Sequence, residues 1–306
     1  MSGSGTCDAL RYDNHVHGGR HYSGHSAVYA LSELAAEARA RGLTISLREH
    51  APFPPEVLAA YPGVLRIREP GTAPVGLSLG QGGNLDEFLA DVVETGLPLG
   101  FEVDVLPAAR WLASSERLAG LLQRRAAAHG LAIDCLNLSH HHPWDMTYGG
   151  LNDALAAAGG PAPFLRSHFG DIRTYAATGL FGTASHLEAL RKFDRRAPAG
   201  PPFACHMDLY REELQLTLAA FHRCNVALEY NTSGSLSWGR PYLSPETLQA
   251  AVEMGLRIVI GSDAHSPDRI GFEFERWTEE LKAAGVREVF RFERGRAVGM
   301  SLGAEP

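Results

Sequence analysis

Histidine and carboxylate side chains recur at the ends of seven apolar segments of this 306-residue chain. The segment ends read HVH, REH, GFEVD, LSHHH, TASH, EYN and GSDAH. Imidazoles mixed with carboxylates suit zinc, manganese or iron, whereas a soft thiolate metal would require cysteines. If these ends meet at one place in the fold, the side chains predict a metal centre that holds more than one ion.

The spacing of two histidine-containing pairs strengthens this prediction. In an extended strand, residues i and i+2 point to the same face, so two such side chains can bind one cation together. His15 and His17 have this spacing, as do Asp263 and His265 near the other end of the chain. One pair alone is a weak signal. Two pairs on the first and last strands of a closed barrel would lie side by side, which is a strong one.

The elements that must position these residues are strands alternating with helices. Strands are predicted at Leu10–His17, Leu43–His50, Leu97–Val105, Leu131–His142, Gly179–His186, Asn225–Asn231 and Leu256–His265. Helices are predicted at Ser26–Arg41, Ala109–His129, Arg211–Cys224 and Ser244–Met254, with Arg276–Ala284 and Val286–Phe292 closing the structure. This alternation favours a parallel barrel or a doubly wound sheet, in which function gathers at the carboxyl ends of the strands.

The composition agrees with one α/β domain over residues 1–306, because a barrel of roughly 250 residues fits the length. Residues 1–8 are predicted to be a flexible leader, and the Pro- and Gly-rich segment Pro52–Asn84 a long loop over the site. A formal net charge of -7 argues against a nucleic-acid partner. Apolar runs stay short of a membrane span, no signal peptide is evident, and the four cysteines form no CxxC pair. We therefore expect a cytoplasmic protein without a membrane partner.

The motifs together resemble those of a known family. DNHVH, SLREHAPFP, GFEVDVLP, LSHHH, GLFGTASHLEALRKF, ALEYNTSG and IGSDAHSPDRIG occur in the order typical of the PHP (polymerase and histidinol phosphatase) superfamily. The resemblance is to its histidinol-phosphate phosphatase branch, and it runs from Asp13 to Phe272. It implies a distorted (β/α)7 barrel with parallel strands, outer helices and a trinuclear site, in agreement with the seven strand ends.

The resemblance also implies a set of nine ligands. Matched residue by residue, they are His15, His17, His25, His50, Glu102, His141, His186, Asp263 and His265. Two positions leave alternatives open. His21 competes with His25 in the segment GGRHYSGHS, and His140 and His142 flank His141 in the HHH run. Asp104 and Glu49 are predicted to orient ligating histidines rather than to bind a metal.

The implied chemistry is that of a metal-dependent phosphatase. Two to three divalent transition metals (Mn, Zn or Fe) would bind, with Glu102 as the bridging carboxylate and with Asp263 and His265 as further catalytic residues. Metals held ~3.5–4 Å apart can share a hydroxide and clamp the oxygens of an in-line displacement. The substrate is predicted to be a small phosphate monoester that the bridging hydroxide attacks. The predicted substrate contacts are Arg191, Lys192 and His168.

The sequence leaves three alternatives to the favoured function: another phosphate ester as substrate, C–N bond hydrolysis, and a module without activity. L-histidinol phosphate is the favoured substrate, and a nucleoside or amino-sugar phosphate is the alternative within the same fold. An amidohydrolase-like enzyme that cuts C–N bonds also opens with His-x-His, but it commonly has a bridging lysine, and no Lys lies at a strand end here. A PHP-like module that has lost activity should lack several ligands, whereas this chain has a candidate for each.

Overall fold

The structure is a computed structural model, and it describes residues 8–19, 29–60, 77–79, 83–141, 148–196 and 200–303. His21, His25 and His142 lie outside the described residues, as do residues 1–7 and most of the predicted Pro52–Asn84 loop. Within that loop the structure places a short helix at Pro55–Ala60. The prediction of a continuous loop was therefore wrong at this point, where Pro at the first position of the helix supplies the fixed φ that suits a helix start.

Seven parallel strands form the centre of the fold in the order β1 to β7. They are β1 (Tyr12–Val16), β2 (Thr44–His50), β3 (Leu99–Asp104), β4 (Ile133–Ser139), β5 (Thr183–Ala184), β6 (Ala227–Asn231) and β7 (Ile258–Gly261). The first and last strands meet, because the N–H of His17 donates to the carbonyl of Ala264 at 2.9 Å and the N–H of Asp263 donates to that of His15 at 2.8 Å. The sheet is thus a nearly closed barrel, as the sequence predicts.

Helices surround the barrel. They are α1 (Leu31–Ala40), α2 (Pro55–Ala60), α3 (Leu85–Thr95), α4 (Ala108–Ala128), α5 (Tyr148–Ala158), α6 (Pro161–Ala176), α7 (Phe193–Arg196), α8 (Met207–Cys224), α9 (Gly234–Ser237), α10 (Pro245–Glu253) and α11 (Phe274–Ala283). On α3 the buried residues Leu85, Phe88, Leu89 and Val92 follow the i, i+3, i+4, i+7 pattern of one apolar face. The side chain of Ser244, the first residue of the predicted helix Ser244–Met254, accepts the N–H of Thr247 and caps α10. In the described parts of the chain, every helix is too short or too polar to cross a membrane.

An antiparallel hairpin follows the last helix. Its strands are β8 (Glu288–Glu293) and β9 (Arg296–Ser301). Phe292 packs against Cys135, Ala227 and Val259, which all lie at the beginnings of barrel strands. The hairpin therefore closes the end of the barrel opposite to the carboxyl ends of the strands.

The barrel strands are shorter than predicted at the end where the metal-binding residues lie. β4 stops at Ser139, β5 has two residues, and β7 stops at Gly261. His186 and Asp263 have φ values of 29° and 54°, in the left-handed region that side chains with a Cβ rarely adopt. A backbone in that region cannot continue a strand. Asp263 and His265 therefore lie beyond the strand on an irregular backbone, and the strand geometry predicted for the pair was wrong.

Candidate metal centre

Five histidine rings surround the carboxylate of Glu102, which is 1% exposed on β3. Its Oε1 lies 2.9 Å from Nε2 of His186, and its Oε2 lies 3.0 Å from Nδ1 of His50. The other three ring nitrogens approach a Glu102 oxygen at 3.7 to 3.9 Å; they belong to His15, His17 and His141. The two oxygens of the Glu102 carboxylate therefore face different rings of the cluster.

The donor atoms form three overlapping groups in the described part of the chain. Within each group, one donor atom per residue lies within 4.8 Å of the others. The first group is His17, His50 and His265, and the second is His15, His17 and Asp263. The third is His50, Glu102 and His141. Nε2 of His17 is 3.0 Å from both Nε2 of His15 and Oδ1 of Asp263. Such crowding of lone-pair atoms is costly unless a cation lies between them, so the donor set fits bound divalent metals.

Strand register accounts for the central contact. His50 and Glu102 are paired across β2 and β3, so their side chains leave the sheet at the same level. His15 lies in β1 and His17 just beyond it, and both are fully buried. The ligand candidates nearer solvent are His50, His141 and His265, whose side chains are 24, 25 and 31% exposed. The centre therefore has a buried floor and an open rim, which a substrate could approach.

Opposite charges dominate the electrostatics. Burial would lower the pKa of His15, but the carboxylates around it, Glu229 first, raise that pKa to about 10. Burial also lowers the pKa of His50, and its hydrogen bond to Glu102 raises it to about 9. Burial would raise the pKa of Glu102, yet the imidazoles, with His141 the largest contributor, hold that pKa well below its usual range. Positive charge is thus stabilised here, whether protons or metal ions carry it.

The structure distinguishes between two of the neighbouring histidines in the HHH run. The ring of His141 faces the cluster, with Nε2 3.1 Å from Nε2 of His186. His140 instead packs edge-on against His168 at 4.0 Å between ring centroids. Burial lowers the pKa of His140 to about 4 and holds that of His168 well below its usual value, so both rings are neutral at physiological pH. His142 and the alternatives His21 and His25 fall outside the described residues.

Several acids, most of them buried, hold the donors in place. Oδ1 of Asp104 lies 3.0 Å from Nδ1 of His141, and Glu49 accepts the N–H of Gly18 at 2.7 Å and lies 3.6 Å from Nδ1 of His17. Both were predicted to orient histidines. Sequence reasoning assigned no role to Asp13 or Glu229. Asp13 accepts the N–H groups of His15, Ser262 and Gly271, which ties β1 to the chain after β7. The available signal was an acid inside a strand predicted to lie in the barrel, because a buried acid needs a partner.

The predicted substrate contacts lie in two different places. Arg191 donates through Nε to Asp194, and its guanidinium lies 5.0 Å from the Trp238 ring centroid. Lys192 lies over the Phe193 ring at 5.1 Å. His168, on α6, lines a small cavity together with His140, Leu138, Ile172 and His186. Of the three, His168 lies beside a cluster histidine, whereas Arg191 is already paired with an acid.

Comparison with known proteins gives one relative in sequence. No family model matches the chain. A protein of Deinococcus radiodurans, described as a probable histidinol-phosphatase, is 32% identical over 129 residues. The alignment covers 40% of this chain and 44% of the relative, so it spans less than half of either protein.

Two solved structures share the fold. A HisK protein of Listeria monocytogenes, provisionally assigned as a histidinol phosphatase, matches with a TM-score of 0.70 at 17% identity, over 87% of this chain and 99% of the other. The histidinol phosphate phosphatase of Lactococcus lactis matches with a TM-score of 0.62 at 18% identity, over 94% and 99%. That structure contains zinc, L-histidinol and phosphate. At these identities the likeness establishes the fold.

The fold and the site define a seven-stranded parallel barrel with a histidine and carboxylate cluster at the carboxyl ends of its strands. The resemblance to histidinol phosphatases, predicted from the motifs, agrees with the partial sequence match to the Deinococcus radiodurans protein. The barrel fold is shared with the two solved structures.

Proposed function

We propose that the protein is a metal-dependent phosphomonoesterase that hydrolyses a small phosphate monoester, with L-histidinol phosphate as the favoured substrate. The observation that carries the proposal is the position of Glu102, which has five imidazole nitrogens within 4 Å of its two oxygens. The zinc, L-histidinol and phosphate bound by the Lactococcus lactis protein support the choice of substrate class.

The ligand set of this chain would comprise the eight clustered side chains and His25. Bound divalent cations supply a nucleophile at neutral pH and neutralise the charge of a phosphoryl group in transfer. Glu102 would help to hold two of the cations, since its two oxygens face different imidazoles. Asp263 would bind a cation together with His17, since its Oδ1 lies 3.0 Å from Nε2 of that ring. His265, at the exposed rim, would contact the approaching substrate.

The proposed substrate contacts rest on different observations. The neutral rings of His140 and His168 line the small cavity next to His186, so His168 lies near the place where the ester would bind. Arg191 and Lys192 are candidates to hold phosphate oxygens, and Arg191 would first have to exchange its bond to Asp194. Arg191→Ala should then raise KM more than it lowers kcat, because the lost contact would be made in the bound state as well as in the transition state.

Metal stoichiometry is the first test. The three overlapping donor groups support two to three ions per chain. Elemental analysis of protein purified without chelator should find two to three transition-metal ions. One ion or none in active protein would contradict a multinuclear centre.

A phosphate-release screen tests the reaction. Protein loaded with Mn or Zn should release phosphate from histidinol phosphate faster than from nucleoside monophosphates or sugar phosphates, and chelated protein should release none. Faster turnover of one of the other esters would favour the alternative substrate class. Absence of phosphate release from all of them, in protein that retains its metals, would contradict the proposed function.

A further inference from the structure

A buried carboxylate on β6 links three candidate ligands, one in β1 and two in the segments just after β5 and β7. Glu229 is fully buried, and both of its oxygens are engaged. Oε1 lies 2.7 Å from Nδ1 of His15, and Oε2 accepts the backbone N–H of His186 at 2.9 Å. Oε2 also accepts the side-chain amide of Asn231 at 2.9 Å, and the same amide nitrogen lies 3.3 Å from Oδ2 of Asp263.

The first contact determines which nitrogen of His15 can bind a cation. Oε1 of an ionised Glu229 can only accept a hydrogen bond, so Nδ1 of His15 must carry the proton. In the neutral ring, the form that can bind a cation, Nε2 then has the lone pair, and it points into the cluster at 3.0 Å from Nε2 of His17. A carboxylate behind a ligating histidine fixes both the tautomer and the orientation of its ring.

The second contact holds a backbone of rare conformation. His186 has a φ of 29°, and such residues persist where the surrounding structure restrains them. Its N–H has Glu229 as its acceptor. The fit around the carboxylate is tight, because a Cβ at Gly261 would lie 2.4 Å from Oε1 of Glu229 and 2.7 Å from Cβ of His15. The glycine leaves space for the carboxylate and the ring to pack directly against the β7 backbone.

We propose that Glu229 is a positioning residue of the metal centre. It sets the tautomer of His15 and the backbone of His186 at the same time, and it orients Asp263 through Asn231. The inference rests on the metal centre of the proposed function, and it does not depend on the substrate.

Glu229→Gln is the informative variant, because glutamine keeps the size of the side chain. Both partners of the carboxylate, Nδ1–H of His15 and N–H of His186, are donors. An amide offers one acceptor oxygen and one donor NH2, so one partner must lose its bond or His15 must change tautomer. We expect about 10–100-fold weaker retention of zinc, the effect usual for residues that support metal ligands. The measurement is zinc per chain by elemental analysis after dialysis against a graded series of chelator concentrations.

Glu213→Gln is the matched control. Glu213 is also a buried carboxylate, but it lies on α8 and pairs with Arg173 at 2.7 Å. This variant should retain zinc as the wild-type protein does. Equal zinc retention by the Glu229→Gln and Glu213→Gln proteins would overturn the inference.

A second measurement needs no variant and so does not depend on how a variant folds. In zinc-loaded wild-type protein with 15N-labelled histidine, NMR should find the His15 proton on Nδ1. A proton on Nε2 would overturn the inference. Both experiments use zinc alone, so they are unaffected if the phosphate-release screen fails. Wild-type protein that binds no zinc would refute the metal centre and the role of Glu229 together.

Discussion

The two ends of the barrel differ in the side chains that they contain: one end is apolar and the other is rich in ionisable groups. At the end where the strands begin, Cys135, Ala227, Val259 and Phe292 form an apolar cluster beneath the β8–β9 hairpin. At the carboxyl ends of the strands, imidazoles and carboxylates crowd together around Glu102. The same seven strands run through both ends, so stability and chemistry are separated along them rather than between domains.

The two ends also differ in how the backbone is held. At the closed end the packing is tight, since a Cβ on Gly182 would lie 2.8 Å from both Sγ of Cys135 and a ring carbon of Phe292. At the open end, His186 and Asp263 adopt left-handed φ values and are held by hydrogen bonds. Substitutions at the closed end should therefore lower stability, and substitutions at the open end should lower activity.

The largest expected effect is that of Glu102→Gln at the open end. Glutamine keeps the size of the side chain but loses its charge and one anionic donor, so the spacing between two cations would be lost. We expect a loss of at least ~10³-fold in turnover, or ~4 kcal/mol of barrier, with little change in the thermal unfolding temperature. Added Mn or Zn should restore little of the activity. Near-wild-type turnover in a metal-replete Glu102→Gln protein would exclude the bridging role.

Phe292→Ala, at the closed end, should lower stability and leave turnover near the wild-type value. Phe292 is 4% exposed, and its ring fills the space between Cys135, Ala227 and Val259. Removing a buried phenylalanine ring costs about 3–5 kcal/mol through lost burial and the cavity left behind. Denaturant unfolding should show this loss in the free energy of unfolding. Metal content and turnover per folded molecule should stay near the wild-type values, and a large drop in either would mean that the two ends are coupled.

The same contrast between the two ends explains what the sequence could predict. The seven strands were recognisable because each is an apolar segment of strand length between helical segments, and burial in a barrel requires that pattern. The ligand candidates were recognisable because acids and histidines rarely end such segments without a function. The hairpin at the closed end was predicted only as a closing segment, since its two strands bury few residues and show no regular alternation of buried and exposed positions.

The features that sequence could not predict depend on contacts between distant parts of the chain. The left-handed turns at His186 and Asp263 follow from hydrogen bonds to Glu229 and to the carbonyl of His15, which no local pattern encodes. For the same reason Glu229 had no assigned role although its strand was predicted. The pairing of Arg191 with Asp194 was equally hidden, since a basic residue next to a predicted ligand is also what a phosphate-binding site would require.

A comparison of neighbouring histidines at the open end is expected to show a smaller effect. His141 faces the cluster and His140 faces His168, so His141→Ala should lose metal and activity by far more than His140→Ala. We expect His141→Ala to lower the metal content by about one ion per chain, and His140→Ala to change turnover by about tenfold or less. Elemental analysis and phosphate release would measure both. Equal effects would mean that the HHH run is misassigned.

The smallest expected effect is the release of protons when zinc binds. The number of protons released tests the electrostatics of the open end directly. The carboxylates raise the pKa of His15 to about 10 and that of His50 to about 9, so both rings carry an extra proton in metal-free protein at pH 7.5. A cation can bind only after those protons leave, and zinc binding should therefore release roughly two protons per chain.

The number of protons released should fall and the affinity for zinc should rise as the pH approaches 9 to 10, because the rings are then increasingly deprotonated before zinc binds. Calorimetric titrations in two buffers with different ionisation enthalpies measure the count at each pH. Heats that do not depend on the buffer would mean that the rings are already neutral at pH 7.5, and that the carboxylates at the open end do not favour positive charge before the metal binds.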